Sequence, residues 1–477
     1  MASWLVRETA VADRHPAIVI GAGPAGLTAA YELSRRGVRP LVLERADKVG
    51  GIARTEVYKG YRFDIGGHRF FTQFPEVERL WHEMMGQDFI RVPRLSRIHY
   101  KGKFLQYPLS LGDTLRKLGL AESILIILSY AWAKLRPLRP EESFEQWVTN
   151  RFGARLFRTF FKTYTEKVWG IPCGVLRADW AAQRIGKLSV GRALRHALFG
   201  GRGVRTLTTE FLYPPLGPGM MWERFAGAVE AAGGTVRLNA AVTALRHEGG
   251  RVTAVVTRSG DAEGRDEGEQ FLASMPLPQL VQALTPPAPD DVLRAAGALR
   301  HRSFIVVSLI VNRPDLFRDN WIYIHTPTVR VGRIQNFKNW SPRMVPDPRK
   351  TCVGMEYFCT EGDELWTMPD EELIALASRE LVALGLAEPG DVEDGTAVRQ
   401  PKAYPVYDAD YPAALARIQA YLRGFPNLHP IGRNGLHRYD NMDQAMLSGM
   451  RGAENALGAH HDPWLAVGAQ QYQEERR

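Results

Sequence analysis

Cysteine is scarce in this 477-residue chain: Cys173, Cys352 and Cys359 are the whole complement, and none sits in a CxxC pair. That excludes a disulfide framework and predicts reduced thiols in a cytoplasmic protein. Long apolar runs are equally rare. The most lipid-like one, SILIILSYAWA (123–133), is too short to span a bilayer. The cations after it, Lys134, Arg136 and Arg139, would suit a helix lying on an anionic surface, but a buried helix is the preferred expectation. No repeat is visible, which excludes solenoids and propellers. The opening MASWLVRETAVADRHP has charges and no apolar core, so no secretory leader is expected. There is no basic block with interleaved aromatics, so nucleic-acid binding is not expected. With 45% hydrophobic and 24% charged residues, disorder is excluded as well. The net charge of +9 (61 basic, 52 acidic) favours an anionic partner, a phosphorylated small molecule first.

AIVIGAGPAGLTAAYELSRRG (17–37) reads as an apolar strand, a glycine turn and an amphipathic helix, and PLVLE (40–44) as the next strand. This βαβ unit predicts an α/β fold with a parallel sheet. Gly21, Gly23 and Gly26 form GxGxxG between strand and helix. They serve the tight turn, the approach to a pyrophosphate and close helix–strand packing, respectively. The helix N-terminus offers N–H groups and a positive dipole end to that pyrophosphate. Glu44, at the end of the following strand, suits ribose hydroxyls and argues against a 2′-phosphate, hence against NADP. NAD remains a competitor until ERADKVGGIART (44–55) is considered. There Gly50 and Gly51, with Arg54, give a second backbone stretch that can approach an extended cofactor. This pattern resembles the amine-oxidase-like group of FAD flavoproteins. By that resemblance, Gly66, Gly67 and His68 in GYRFDIGGHRFFT (60–72) lie beside the isoalloxazine ring, where His68 either tunes the flavin or only braces its loop.

The rest of the chain alternates in character. Residues 75–200 look mostly helical, with PEVERLWHEMM, LGDTLRKLGL, ESFEQWVTNRFG and ARLFRTFFKTY as the clearest stretches. Helix and strands return over 219–257, SGDAEGRDEGE reads as a loop, and 304–358 reads as short strands of a second sheet. The expected fold class is a Rossmann-like FAD-binding domain interleaved with a mainly antiparallel substrate-domain sheet and a helical insertion. The expected parts are 14–74 (first FAD-binding), 75–200 (helical insertion or cap), 201–300 (second FAD-binding), 301–420 (antiparallel sheet) and 421–477 (C-terminal FAD-binding segment and helix).

Two later segments resemble those of UDP-galactopyranose mutases. FKTYTEKVWGIPCGVL (161–176) is similar to their YTxKxWGxxPxxL, and LHPIGRNGLHRYDNMDQAM (428–446) to their GRxxxYRYxDM. YPPLGPGMMWERF (213–225) and VGRIQNFKNW (331–340) follow the same order. The resemblance implies that reduced FAD attacks the anomeric carbon of a nucleotide sugar through N5 and forms a flavin–sugar adduct, without net oxidation. An external reductant is implied. It assigns Arg333 and Arg433, with His68, to the catalytic centre; guanidinium suits phosphate geometry. It places Trp169, Tyr404, Tyr439 and Asn441 against the substrate, and Gly432 and Met442 against the cofactor. Asn441 stands where the family has aspartate, and Val168 where it has glutamine. The alternative reading is an oxidase or desaturase of the protoporphyrinogen oxidase or amine oxidase type, since the N-terminal pattern is shared.

Overall fold

The computed structural model describes residues 14–107, 111–178 and 209–465. Residues 108–110 and 179–200 of the expected helical insertion, 201–208 of the expected second FAD-binding part and 466–477 of the C-terminal segment lie outside the described residues. The chain divides into two units. The first comprises residues up to Gly51 with Trp222–Leu299 and Ala413–Leu465; the second comprises Ile52–Met221 and Arg300–Pro412. Residues 52–74 therefore group with the second sheet.

In the first unit the strand Arg14–Ile20 sits between Pro40–Leu43 and Ala262–Ala273, parallel to both. Its last four residues, AIVI, are all buried, the pattern of a strand covered on both faces. The sheet continues through Arg251–Ser259, Ala241–Glu248 and Leu284–Thr285 on one side and Thr235–Arg237 on the other, and Leu428–Pro430 also pairs with Ala262–Ala273. Helix Pro24–Ser34 starts with proline at its first turn and has Gly23 as N-cap. Helix Met442–Ala456 packs on it: a Cβ at Gly449 would lie 2.2 Å from the Ala25 carbonyl oxygen, so the two backbones meet directly.

The second unit is built on a seven-stranded sheet in the order Val392–Pro405, His301–Val311, Thr351–Cys359, Arg333–Asn336, Trp321–Ile324, Ser96–Tyr100, Lys103–Gln106. It is antiparallel except where Trp321–Ile324 meets Ser96–Tyr100. Every residue of Thr351–Cys359 is buried. One face of the sheet packs Val307, Leu309, Val353, Met355 and Tyr357 against Leu373, Ala377 and Leu381 of helix Asp370–Ala383. All three cysteines are buried free thiols, with burial raising each pKa.

Three sequence expectations change. The stretch 75–200 contains strands Ile90–Pro93, Ser96–Tyr100 and Lys103–Gln106 as well as helices. Lys101 and Gly102, both at positive φ (48° and 74°), make the tight turn between the last two. SGDAEGRDEGE is no loop: residues 262–273 form one strand, and its polar half extends the hairpin with Arg251–Ser259. The apolar 123–133 run lies in helix Leu120–Leu135 as expected, yet that helix is not buried. Leu120 and Leu135 are 79% and 78% exposed, and Ile124, Leu125, Ile127, Leu128 and Trp132 are also exposed.

Candidate functional site

The first unit presents a glycine cradle. Gly21 adopts φ +98°, and a Cβ on Gly26 would fall 1.9 Å from the Gly21 carbonyl oxygen, so strand and helix touch through their backbones. Gly50 N–H donates to the Ala22 carbonyl at 2.8 Å, and a Cβ on Gly51 would lie 3.1 Å from Gly23 Cα. The two glycine stretches expected from sequence are thus brought together. The Glu44 carboxylate accepts from the N–H of Ala22 (2.7 Å) and of Ala46 (2.9 Å), so besides any ribose contact it braces the loop itself. No cap side chain occupies the N-terminus of helix Pro24–Ser34. A backbone cradle without side chains, a helix N-terminus and a carboxylate at the end of the adjacent strand form a donor and acceptor set that fits a dinucleotide pyrophosphate and ribose.

The C-terminal segment completes this unit. Gly432, at φ +73°, sits where a Cβ would be 2.7 Å from Ala25 Cβ, so its turn lies over the start of helix Pro24–Ser34. Arg433 lies 4.2 Å from the centroid of the Tyr439 ring and donates to the Asp440 carbonyl at 3.2 Å. Asn441 is the N-cap of helix Met442–Ala456, its N–H donating to Gln444 Oε1 at 3.2 Å. Met442 is the buried first residue of that helix.

The second unit gathers the other candidates around Arg333. Gly66 (φ +91°) and Gly67 pass over the Arg333 strand: a Cβ on Gly66 would be 3.5 Å from Arg333 Nη2, and one on Gly67 would be 2.7 Å from Gln335 Nε2. His68 follows on this loop, half-buried. Arg333 Nε donates to Glu356 Oε2. Glu356 Oε1 accepts from Gln335 Nε2 at 3.0 Å, and Gln335 Oε1 accepts from Trp340 Nε1 at 3.0 Å. Arg333 and Glu356 are direct cross-strand partners. Burial pushes the Glu356 carboxyl up, opposed by Arg333 and Gln335. Burial alone disfavours the charged guanidinium, but Glu356 and the phenols of Tyr404, Tyr164 and Tyr323 hold Arg333 protonated. Burial raises the Tyr164 phenol well above its usual range, so it stays a donor.

Trp169 ends helix Thr163–Trp169 and is buried edge-on to Tyr404 at 6.4 Å. Tyr404 also packs on Phe358 (5.6 Å) and Phe304 (6.2 Å). Two cations shape this region without having been singled out from sequence. Lys167 Nζ donates to the carbonyls of Thr326 (2.8 Å), Val331 (3.1 Å) and Ile324 (3.4 Å), and burial lowers its pKa to about 8. Arg302, opposite Tyr404 in the sheet, donates to the carbonyls of Phe358 (2.9 Å) and Val168 (3.3 Å) and so ties down the end of the Trp169 helix. His325 stacks on Tyr164 at 4.9 Å. Its pKa is lowered to about 3 by burial and by Lys167, which keeps the ring neutral. Arg54 donates to Glu56 (2.5 Å) and Gln400 (2.6 Å). Glu356 had a signal in the sequence: a lone carboxylate inside the apolar run TCVGMEYF implies a buried partner.

Asp64 is buried and accepts from Tyr213 Oη and from Thr55 Oγ1 (3.1 Å); burial, against those two hydrogen bonds, raises its pKa to about 7. The folded state therefore holds a proton that the unfolded chain releases near its ordinary carboxylate pKa. This contribution to stability is complete below about pH 4 and is lost as pH rises to about 7. Asp64→Asn is expected to remove it. Urea midpoints at pH 5 and 8 should show wild type losing about 3 kcal/mol more than the variant on going to the higher pH.

Residues 24–457 match the model of the flavin-containing amine oxidoreductase family. The chain belongs to that family, and FAD is its cofactor. Among solved structures, that of a reduced UDP-galactopyranose mutase superposes with a TM-score of 0.82 at 19% identity, covering 96% of this chain and 98% of that one. A putative protoporphyrinogen oxidase from Exiguobacterium sp. 255-15 gives 0.70 at 18% identity over 94% and 100%. Putrescine oxidase bound to putrescine gives 0.61 at 18% over 94% and 99%. At these identities the likeness establishes the fold. Curated relatives match only locally. Pseudooxynicotine dehydrogenase from Pseudomonas sp. is 42% identical over 71 residues, 15% of this chain and 14% of that protein. A 15-cis-phytoene desaturase from Narcissus pseudonarcissus is 40% identical over 68 residues, 14% and 12% of the two chains. No helix among the described residues is long and apolar enough to cross a membrane.

Proposed function

We propose that this flavoenzyme rearranges a nucleotide sugar without net oxidation, in the manner of UDP-galactopyranose mutase, with its FAD in the reduced state supplied by an external reductant. One observation carries this reading: Arg333, paired with the buried Glu356 carboxylate beneath the Gly66–Gly67 turn, with the phenols of Tyr164, Tyr323 and Tyr404 within electrostatic reach of its charge. One fold hosts many chemistries, so the side chains decide between them. A departing diphosphate gains negative charge, and preorganised guanidinium and phenol donors stabilise that charge in a low-dielectric site. A lipophilic amine or polyene gains nothing from them. When bound and reduced, the flavin supplies the nucleophile for the anomeric carbon. Glu356 fixes the plane of the Arg333 guanidinium, Gln335 and Trp340 fix Glu356, and the Tyr164 phenol, its pKa raised by burial, keeps its proton to donate. In the other unit Arg433, stacked on Tyr439, is a second guanidinium suited to phosphate.

The test is UDP binding followed by turnover. UDP should raise the melting temperature of the oxidised protein, because a ligand at a hundred times its Kd adds about 2.7 kcal/mol. Dithionite-reduced enzyme should then interconvert pyranose and furanose forms of a UDP-sugar, with no oxygen consumed. The exposed apolar helix Leu120–Leu135 favours a second reading, an oxidase or desaturase of a lipophilic substrate. Peroxide release with such a substrate, and no UDP effect, would transfer the assignment to it.

A further inference from the structure

Helix Leu120–Leu135 is the most unusual surface among the described residues. Its exposed apolar side chains, Leu120, Ile124, Ile127, Leu128, Trp132 and Leu135, recur at three- and four-residue spacing and so form one continuous stripe. The opposite face is anchored: Ser123, Ile126 and Ala133 are buried, and Glu122 pairs with Arg155 at 2.6 Å. A helix of 16 residues is about 24 Å long, too short to cross a bilayer upright but suited to lie along one.

Charge selects the occupant. Arg136 stands over the Trp132 ring at 4.9 Å, and Lys134 over Tyr130 at 5.4 Å. Arg139 follows, exposed, and exposed Arg116 precedes the helix. The acids nearby are engaged: Glu122 with Arg155, and Glu141 with Arg151 at 2.8 Å. Glu142 is exposed beyond the helix. Cations flank both ends of the stripe, so a second copy laid antiparallel against it would bring like charges together. An anionic lipid surface instead meets apolar side chains with its acyl boundary and the flanking arginines Arg116, Arg136 and Arg139 with its headgroups, while Lys134 donates to the Asn150 carbonyl at 3.0 Å. A tryptophan carrying an arginine suits the boundary between the two.

We infer that helix Leu120–Leu135 is an in-plane anchor that docks this enzyme on anionic membrane surfaces. The inference is independent of the reaction catalysed, because it concerns a surface outside the Arg333 cluster. The experiment is flotation of flavin-loaded full-length protein with vesicles of pure phosphatidylcholine or of phosphatidylcholine with 30% phosphatidylglycerol, at about 50 and 500 mM salt. The protein is expected to float with the anionic vesicles, at least about tenfold more than with neutral ones, and to release at high salt. Ile124→Glu with Leu128→Glu, both already exposed, should abolish flotation while flavin content and melting temperature stay unchanged. Arg136→Ala with Arg139→Ala should weaken it only on anionic vesicles. Failure of wild type to float overturns the inference, as does flotation that survives the double glutamate substitution. So does a dimer in sedimentation that the glutamates dissociate, which would make the stripe a contact between copies.

Discussion

Arg333→Ala is expected to destabilise the protein by about 3–5 kcal/mol, because it strands Glu356, a fully buried carboxylate, without its ion-pair partner. Gln335 still donates one hydrogen bond to it, which does not replace the charge. The reciprocal Glu356→Ala leaves a guanidinium without its counter-charge in the same low-dielectric surroundings and should cost a similar amount. Replacing both at once, Arg333→Met with Glu356→Leu, removes the charges together and should recover much of the loss, because desolvating two ions is itself expensive. Urea denaturation of the three variants measures the coupling; a double variant no more stable than either single one would show that the pair does not act as a unit. Activity separates the structural from the catalytic contribution. The double variant should fold and bind flavin yet lose at least about a hundredfold in turnover, the usual cost of removing a donor aimed at developing charge.

Gly26→Ala should abolish flavin binding. The added Cβ meets the Gly21 carbonyl oxygen at 1.9 Å, its carbon at 3.1 Å and Val19 Cγ1 at 3.3 Å. The closest atom belongs to the backbone, so no side-chain rotation relieves the collision, and helix Pro24–Ser34 must move off strand Arg14–Ile20. That movement opens the cradle that should hold the pyrophosphate. The purified variant should be colourless, with under about a tenth of the wild-type flavin per chain. Gly37→Ala is the control. Gly37 has positive φ (+79°), which Gly26 in its helix does not, but nothing lies within 4 Å of its added methyl. It should cost only about 1–2 kcal/mol of backbone strain and stay yellow. Equal colour in the two variants would mean that close approach at Gly26 is not what positions the cofactor.

Comparing these two sites shows what a sequence can disclose. The glycine cradle is written within six positions, and the strand before it and helix after it are both short-range patterns, so it was legible at once. Helix Pro75–Met85 was legible for the same reason: proline opens it, acids fill its first turn, and its apolar residues fall on one face. The hairpin around Lys101–Gly102 was missed, since four- and five-residue strands carry too few alternations to stand out among helical neighbours. The strand 262–273 was missed because it is stabilised by its partners on both edges, Arg251–Ser259 and Arg14–Ile20, and not by its own charged composition. Helix Leu120–Leu135 was misjudged differently. Its hydropathy states a preference for leaving water, while burial requires another segment to arrive on that face.

Sequence by itself determined the βαβ opening, the flavin cradle with Glu44, and the motifs that carry Trp169, Arg333, Arg433 and Tyr439. The opening unit and its cradle depend on residues a few positions apart, where backbone geometry sets the neighbours, whereas those four motifs were legible only through their resemblance to a known family. Tertiary structure decided that Arg333 faces Glu356 across 23 positions of chain, that Arg302 lies opposite Tyr404, and that Lys167 collects three carbonyls from 324–331. Sheet register makes those pairings, and a slip of one residue would turn each side chain to the other face. The charge state of the Arg333 cluster follows from that register and from burial, two quantities that no local stretch of sequence contains.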